Sequence, residues 1–274
     1  MSPAAAVTVS HRCNACGKCC NSPPLLSLPE LLRHQDLFVG CLSLRRGAGR
    51  RLAVLGQAYD YPALHGCPAL GPDRRCTLHE RGKPAVCAVV PLDAALPDSM
   101  QAAVLLGRNA SASYFGAQCI VAGESAQHEV IVRGGRLVDA GSIEALERRR
   151  EAVRLDEYWW GNAVSEQLAR EPPAIPAGGY LSLSIAPVLN LAARVSAACR
   201  RRCLDYIERQ LALIEGVLDQ AVLRQRGEDL GASRELRTFA EAHRRLSRQL
   251  GPGAAAPALD AARRREFERY LGVA

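Results

Sequence analysis

The stretch Cys13-Asn-Ala-Cys16-Gly-Lys-Cys19-Cys20 places four thiols within eight residues. A Cys-x2-Cys step lets two sulfurs converge on one metal ion, because the turn between them directs both side chains inward. The second such step adds Cys19 as a third ligand. Cys20 is harder to place on the same ion, since neighbouring side chains diverge, and it could serve a second centre. Gly17 permits the backbone reversal that this loop needs.

Further cysteines follow at wider spacing. Cys67, Cys76 and Cys87 are too far apart for a single loop, but their spacing suits ligands presented by several loops, which nearby prolines stiffen. A lone thiol comes later in the chain. Eight thiolates fit two four-sulfur sites or one multinuclear cluster, and both an iron–sulfur cluster and zinc remain open. The predicted metal ligands are Cys13, Cys16, Cys19, Cys20, Cys67, Cys76, Cys87 and Cys119.

The number and placement of the cysteines favour metal binding over disulfides. The chain has 11 cysteines, an odd number, and nine of them lie between Cys13 and Cys119. The sequence has neither a secretory leader nor an apolar run of membrane-spanning length, so we expect a cytoplasmic protein with no membrane partner. A reducing cytosol favours metal ligation. Structural or redox disulfides and inert buried thiols are the alternatives.

These motifs together resemble the YkgJ-type cysteine-cluster family, a zinc- or iron-chelating domain shared with flagellin lysine N-methylase. The family pattern is CxxCxxCC, a Cys-Pro-hydrophobic step, an acidic turn before the next Cys, and Pro-x2-Cys-x3-Pro. Here it is carried by CNACGKCC, by SLPELL from Ser27, and by GCPALGPDRRCTLHERGKPAVCAVVPL from Gly66. Cys119 with Gly123 matches a later Cys of the family. The resemblance covers residues 11–123 and implies metal chelation.

The resemblance also implies protein lysine N-methyltransferase activity, such as on flagellin, with S-adenosylmethionine as a cofactor and a protein as substrate. The chain has no Gly-rich strand-to-helix loop of the nucleotide-binding kind. Cys199-x3-Cys203 begins a radical S-adenosylmethionine spacing, but Tyr206 stands where the third thiol belongs. Two other functions therefore stay open: a non-catalytic metal-stabilised interaction module, and a metal-handling protein that stores or delivers the ion.

Other residues have a structural interpretation beside a functional one. Cys199 and Cys203 share a helix face and could hold a metal or form an inducible disulfide, with thiolate character raised by the three arginines between them. Packing in the core is the alternative. Cys41 is interpreted as structural. Imidazole can replace a thiolate on a metal, so the histidines near the cluster are candidate ligands: His11, His65 and His79.

The predicted fold class is α+β, mainly α. Residues 1–125 form an irregular Cys-rich metal-binding domain stapled by the metal, and residues 126–274 form a helical region that opens with a β-hairpin at 129–139. In the first domain, Ser27 and Glu30 form a capping box for a helix that runs to about residue 38. Residues 51–57 and 102–106 are possible short strands. Gly134-Gly135 suits the turn of the hairpin.

The helical region contains four predicted helices. Ser142 caps the first, which continues through Tyr158-Trp159-Trp160 to Leu168, and the others cover 187–226, 234–250 and 259–271. The aromatic trio is interpreted as anchoring the helical half on the Cys-rich half, with a substrate platform as the alternative. The net charge of +7 comes from arginine clusters on these helices. Solvated helix faces explain that charge without a nucleic-acid partner.

Overall fold

The computed structural model describes residues 7–20, 23–46, 52–62, 66–110, 119–175, 179–251 and 259–274. The fold is α+β and mainly α, as the sequence predicts. The strands are β1 Val9–His11, β2 Gly40–Arg46, β3 Leu52–Ala58, β4 Ile120–Ala122, β5 Glu129–Arg133, β6 Arg136–Leu137 and β7 Tyr180–Ser184. The helices are α1 Leu28–Arg33, α2 Ala85–Ala88, α3 Gln101–Ala110, α4 Ala140–Asp156, α5 Asn162–Arg170, α6 Ala186–Ala193, α7 Ala197–Arg224, α8 Asp229–Gln249 and α9 Ala261–Leu271.

The chain divides into two compact units, each built from two separate segments. Unit 1 comprises Met1–Pro24 and Gly66–Ala152, and unit 2 comprises Leu25–His65 and Val153–Ala274. This division differs from the single boundary near residue 125 that the sequence predicts. The cause is strand pairing over long sequence distances: β2 pairs with β7 of the helical region, whereas β1 pairs with β5 of the hairpin.

Unit 1 is organised around an antiparallel sheet in the order β4-β1-β5-β6. The predicted hairpin is confirmed, and Gly134 and Gly135 adopt positive φ angles of 59° and 76° at its turn. A buried apolar cluster joins the sheet to α3, α4 and the segment after α2. Its members are Val9, Val89, Leu92, Leu105, Cys119, Ile120, Ile131, Val132 and Leu146.

The possible strand at 102–106 is wrong, because these residues lie in α3. Gln101, at the start of this helix, is fully buried; its side-chain oxygen accepts a hydrogen bond from the amide of Asp93, and its side-chain nitrogen donates to the carbonyls of Asp93 and Leu96. Leu105 follows one helical turn later and is also buried. The pair faces the core at helical spacing, which outweighs the weak strand signal of a short apolar run.

Unit 2 contains an antiparallel sheet in the order β3-β2-β7. The predicted strand at 51–57 is confirmed as β3, from Leu52 onward. The predicted helix at Ser27 is also present, and Glu30 accepts hydrogen bonds from the Ser27 amide at 2.8 Å and its hydroxyl at 2.9 Å. The helix is shorter than predicted, because a turn follows Arg33 and β2 begins at Gly40.

The helices of the second half broadly follow the prediction, with different caps. Asp139 rather than Ser142 caps α4, since its carboxylate accepts the Ser142 amide at 2.6 Å. The helix continues through a π-helical segment, Glu157–Gly161, into α5. The predicted helix at 187–226 is two helices, because the Ser196 hydroxyl caps α7 at the amide of Cys199. The last two predicted helices are present as α8 and α9.

The aromatic trio packs on α9 within unit 2. The rings of Trp159 and Phe267 are 5.1 Å apart, and Trp160 donates a hydrogen bond from its indole nitrogen to the hydroxyl of Tyr270. The trio thus anchors the C-terminal helix. The sequence predicted that it would instead anchor the helical half on the Cys-rich half, but none of its described ring contacts involves a residue of the Cys-rich half. Across the described ranges, no helix has both the length and the apolar character needed to cross a membrane.

Candidate metal centre

All eight predicted ligands belong to unit 1, and the other cysteines belong to unit 2. None of the 11 cysteines is in a disulfide. Cys13 is exposed and Cys119 is buried, whereas the remaining predicted ligands are half-buried. Partly accessible thiols gathered in one folding unit can act as soft metal ligands, provided that their side chains converge.

The CxxCxxCC loop follows directly after β1. Ala15 and Gly17 have positive φ angles of 55° and 73°, so the backbone reverses on both sides of Cys16. The amide of Cys20 then donates to the carbonyl of Gly17 at 3.0 Å and closes a short 3-10 turn. An alanine in this left-handed conformation costs about 1 kcal/mol. The rest of the loop therefore has to hold Ala15 in place.

A second loop is hydrogen-bonded to the first. The amide of Cys67 donates to the carbonyl of Cys20 at 2.9 Å, and Leu70 forms a β-bridge with Cys76. The loops also pack closely, because a Cβ on Gly17 would lie 3.3 Å from a methyl group of Leu70. These contacts bring Cys20, Cys67 and Cys76 into one neighbourhood, although Cys20 and Cys67 are 47 positions apart in the sequence.

Cys87 and Cys119 reach the site from other elements. Cys87 lies in the single-turn helix α2, which starts after Pro84. Cys119 immediately precedes β4, and its carbonyl accepts a hydrogen bond from the amide of Arg12 at 2.9 Å. The pairing of β1 with β4 therefore sets Cys119 beside the start of the CxxCxxCC loop.

The electrostatic interactions among the thiols link them in two overlapping sets. Cys20 interacts with Cys67, Cys76 and Cys87. Cys119 interacts with Cys13, Cys16 and Cys19. The sets adjoin at the neighbouring pair, because the sulfurs of Cys19 and Cys20 are 4.0 Å apart, and Cys67 also interacts with Cys19. We name them group A, which is Cys20, Cys67, Cys76 and Cys87, and group B, which is Cys13, Cys16, Cys19 and Cys119.

The adjacent thiols share a proton unequally. The hydrogen bond between the two thiols lowers the pKa of Cys20, while the same bond and burial raise the pKa of Cys19. Burial also raises the pKa of Cys67 and of Cys119. Within the pair, Cys20 therefore ionises first. Lys83 opposes the rise at Cys19 through its positive charge.

The donor set suits a thiophilic metal, but the sulfurs do not form a closed coordination sphere. Among the residues that the structure describes, no three His, Cys, Asp or Glu side chains are arranged to hold a metal ion. The backbone contacts above bring together the loops that carry Cys20, Cys67 and Cys76, and they place Cys119 beside the start of the CxxCxxCC loop. Thiolates are the ligand type that zinc and iron–sulfur clusters require, but the sulfurs of the described residues are not arranged around a single metal ion in this structure.

The histidines near the cluster differ in their surroundings. His11 lies in β1, where burial, followed by the charges of Lys83 and His128, lowers its pKa to about 4. Its imidazole is therefore neutral near neutral pH, the form in which histidine binds metals. His79 is exposed. His65 lies outside the described residues.

The three cysteines of unit 2 are core residues. Cys41, Cys199 and Cys203 have no exposed surface, in keeping with the structural interpretation of Cys41. Burial raises the pKa of Cys203 to about 12 and also raises that of Cys199. The suggestion that neighbouring arginines increase thiolate character here is therefore wrong, because desolvation outweighs their charge. For this pair, the core-packing alternative agrees with the observed burial.

One residue at the site escaped the sequence analysis. Lys83 acts electrostatically on both Cys19 and His11. The available signal was its position in Gly82-Lys83-Pro84, between two predicted ligands, where Gly82 has a φ of 85°. A lone lysine in a loop is usually solvated, so spacing alone did not distinguish it.

Comparison with known proteins adds no family assignment: no family model matches the chain, and neither a curated protein nor a solved structure matches it. The candidate centre has to be interpreted from its own residues.

Proposed function

We propose that unit 1 is a metal-binding module in which cysteine thiolates hold zinc or an iron–sulfur cluster. The observation that carries this proposal is the gathering of eight thiols, none of them in a disulfide, from separate stretches of chain into two adjoining, interacting groups. Core packing does not account for them, because seven of the eight retain some exposure. The resemblance to a metal-chelating cysteine-cluster family supports the same conclusion.

The two groups fit two four-sulfur sites, and the interaction of Cys67 with Cys19 keeps a single multinuclear cluster as the alternative. Groups A and B each contain four thiols, the number that binds one structural zinc ion or one iron–sulfur cluster. Cys19 and Cys20 would then serve different centres, which resolves the difficulty of placing neighbouring side chains on one ion. A bound metal would cross-link loops that contain little regular structure, so its binding energy would contribute directly to the stability of unit 1.

The residues around the thiols supply metal ligands, and none of them is assigned to methyl transfer. Segments 12–20 and 66–87 carry six basic and two acidic residues. Two zinc sites of four thiolates each would offset this positive charge, so it does not argue for or against a lysine substrate. Methyl transfer from S-adenosylmethionine therefore rests on the resemblance alone, and its test is calorimetric titration with the cofactor. Heat of binding would restore the enzymatic alternative.

A metal-handling role is the second candidate, favoured by one observation. Cys13 is exposed and six other predicted ligands are half-buried, and accessible ligands allow a competing ligand to attack the metal. Its test is transfer to a coloured chelator. Transfer within seconds to minutes supports handling, whereas retention over hours supports a structural module.

The central experiment measures the metal in protein purified anaerobically. We expect brown absorbance with acid-labile sulfide for an iron–sulfur cluster, or stoichiometric zinc in a colourless protein. Cys67→Ser removes a group A ligand and Cys13→Ser removes a group B ligand, so each is expected to lose about half of the bound metal. Cys203→Ala is the control, because this buried thiol belongs to unit 2. Absence of metal, or equal loss in the control, would refute the proposal.

A further inference from the structure

We infer that the loops around the thiols form a docking surface for a protein partner with a carboxylate-rich surface. This inference rests on the proposed metal-binding function, which gives a partner a reason to approach the thiols. We name as the basic rim the three residues that carry it: Arg74, Arg75 and Arg81. They lie in the loop between the group A thiols Cys67 and Cys87, and each side chain is exposed.

The basic rim carries three positive charges, and its loop also carries the carboxylates of Asp73 and Glu80. None of the three arginines forms an ion pair with either carboxylate, or with any other residue in the described ranges. The side-chain oxygen of Asp73 accepts a hydrogen bond from the backbone amide of Arg75 rather than from a guanidinium group. The guanidinium groups are therefore available to carboxylates on another molecule.

One rim residue, Arg74, lies beside the CxxCxxCC loop. A Cβ on Gly17 would lie 3.9 Å from the Cβ of Arg74, so this arginine leaves the chain beside the CxxCxxCC loop. Its positive φ of 61° is unusual for a non-glycine residue. A turn within 71–75, in which the amide of Gly71 donates to the carbonyl of Arg75 at 2.8 Å, maintains that conformation.

Stabilisation of the thiolates within the chain is a poorer explanation of the rim. Exposed charges are screened by solvent and salt, and each contributes less than about 1 kcal/mol to a neighbouring group. Lys83, which is outside the rim, is a basic residue whose charge acts on a thiol, that of Cys19.

The chemistry of these loops favours protein over nucleic acid or membrane. Segments 12–20 and 66–87 contain no Phe, Tyr or Trp, so they offer no aromatic surface on which bases could stack. Their helical turns, Lys18–Cys20 and Ala85–Ala88, are too short to fill a major groove. None of the large apolar side chains exposed in the described residues lies in these loops, so there is no group to insert into a lipid bilayer.

The test compares two charge-reversal variants of the full chain. R74E/R75E/R81E alters the rim, and R245E/R248E/R265E alters three exposed arginines of unit 2 and changes the net charge equally. The probe is a fluorescein-labelled peptide of alternating Glu and Gly, and its affinity is measured by anisotropy at about 50 and 200 mM salt. We expect the rim variant to bind at least about tenfold more weakly than the parent, and the control variant to bind within about twofold.

Each other outcome overturns the inference. Equal weakening in both variants would mean that binding follows net charge. Tighter binding of duplex DNA than of the peptide, lost in the rim variant, would mean that the surface fits nucleic acid. Metal content measured on the same samples separates this inference from the proposed function: a metal-loaded parent that fails to bind the peptide would overturn the rim and leave the metal site, whereas a parent purified anaerobically without metal would overturn both.

Discussion

The hydroxyl of Tyr206 occupies the space that a side chain on Gly40 would need. A Cβ built on Gly40 would lie 2.0 Å from the Tyr206 oxygen and 3.3 Å from the ring carbon that bears it. Tyr206 is fully buried in α7, and its hydroxyl has no hydrogen-bond partner among the described residues. The missing side chain at Gly40 therefore sets how closely the start of β2 approaches α7.

Gly40→Ala is expected to lower the free energy of unfolding by about 1–3 kcal/mol, because the new methyl group overlaps the hydroxyl. Tyr206→Phe alone should be nearly neutral, since it removes a buried group that makes no hydrogen bond. The double variant should recover most of the loss, and urea unfolding followed by tryptophan fluorescence measures all three. Strict additivity of the two single effects would show that the groups do not interact.

Gln210 forms hydrogen bonds to the turn that precedes β2, and replacing its side chain should lower the free energy of unfolding. This fully buried side chain accepts the Gly40 amide at 2.7 Å and donates to the carbonyls of Gln35 and Phe38. Gln210→Leu leaves those three backbone groups unsatisfied, so we expect a loss of about 2–4 kcal/mol. Arg209→Leu, at the exposed neighbouring position, is the control and should change stability by less than about 1 kcal/mol. Similar losses in the two variants would contradict this role.

Asp156 should make unit 2 less stable as the pH rises. Burial is the main cause that raises the pKa of this carboxyl to about 7, although it accepts hydrogen bonds from Tyr270 and from the amide of Leu28. Because its pKa is higher in the folded state, the stabilisation is complete below about pH 4 and is lost as the pH rises through 7. We expect a decrease of up to about 4 kcal/mol across that interval.

Asp156→Asn removes this titration and should flatten the dependence of unfolding free energy on pH between 4 and about 8. Both tryptophans of the chain, Trp159 and Trp160, belong to unit 2, so their fluorescence follows the relevant transition. Asp219→Asn, at an exposed position in α7, is the matched control. A pH dependence in the Asp156 variant equal to that of the parent would mean that another group is responsible.

Removal of the metal should unfold the cysteine loops and spare unit 2. We expect a chelator to lower amide protection in residues 66–87, because metal binding and loop folding are coupled. Amide protection in α7 and the tryptophan emission should be the same before and after metal removal, within experimental error, because both report on unit 2. Hydrogen exchange followed by mass spectrometry measures each region. Unchanged protection at 66–87 after complete metal removal would contradict the coupling.

The cysteine spacing anticipated the composition of the candidate centre but not its partition. Four thiols in eight residues required a tight loop, and the positive φ angles of Ala15 and Gly17 provide it. The division into groups depends on the hydrogen bond from Cys67 to Cys20 and on the pairing of β1 with β4. Neither contact is encoded locally, so no spacing argument could have found them.

The fold class was predictable from helical periodicity, whereas the sheet of unit 2 was not. β2 and β7 carry the alternating patterns CLSL and YLSLS, which were available in the sequence as strand signals. Their register, with Leu42 opposite Leu183, joins segments about 140 residues apart. Pairing between such distant strands is stabilised by tertiary packing, which forms only when the two segments meet. The local strand propensity of each segment therefore does not predict which strand it pairs with.

The discontinuous construction of unit 2 has a consequence for synthesis on the ribosome. β2 is the middle strand of its sheet, but β7 emerges roughly 130 residues after it. At about 5–20 residues per second, one edge of β2 waits on the order of ten seconds for its partner. During that interval the nascent chain presents an unpaired strand edge that contains Leu42 and Leu44. Molecular chaperones, or another nascent chain on the same polysome, can bind to such an edge.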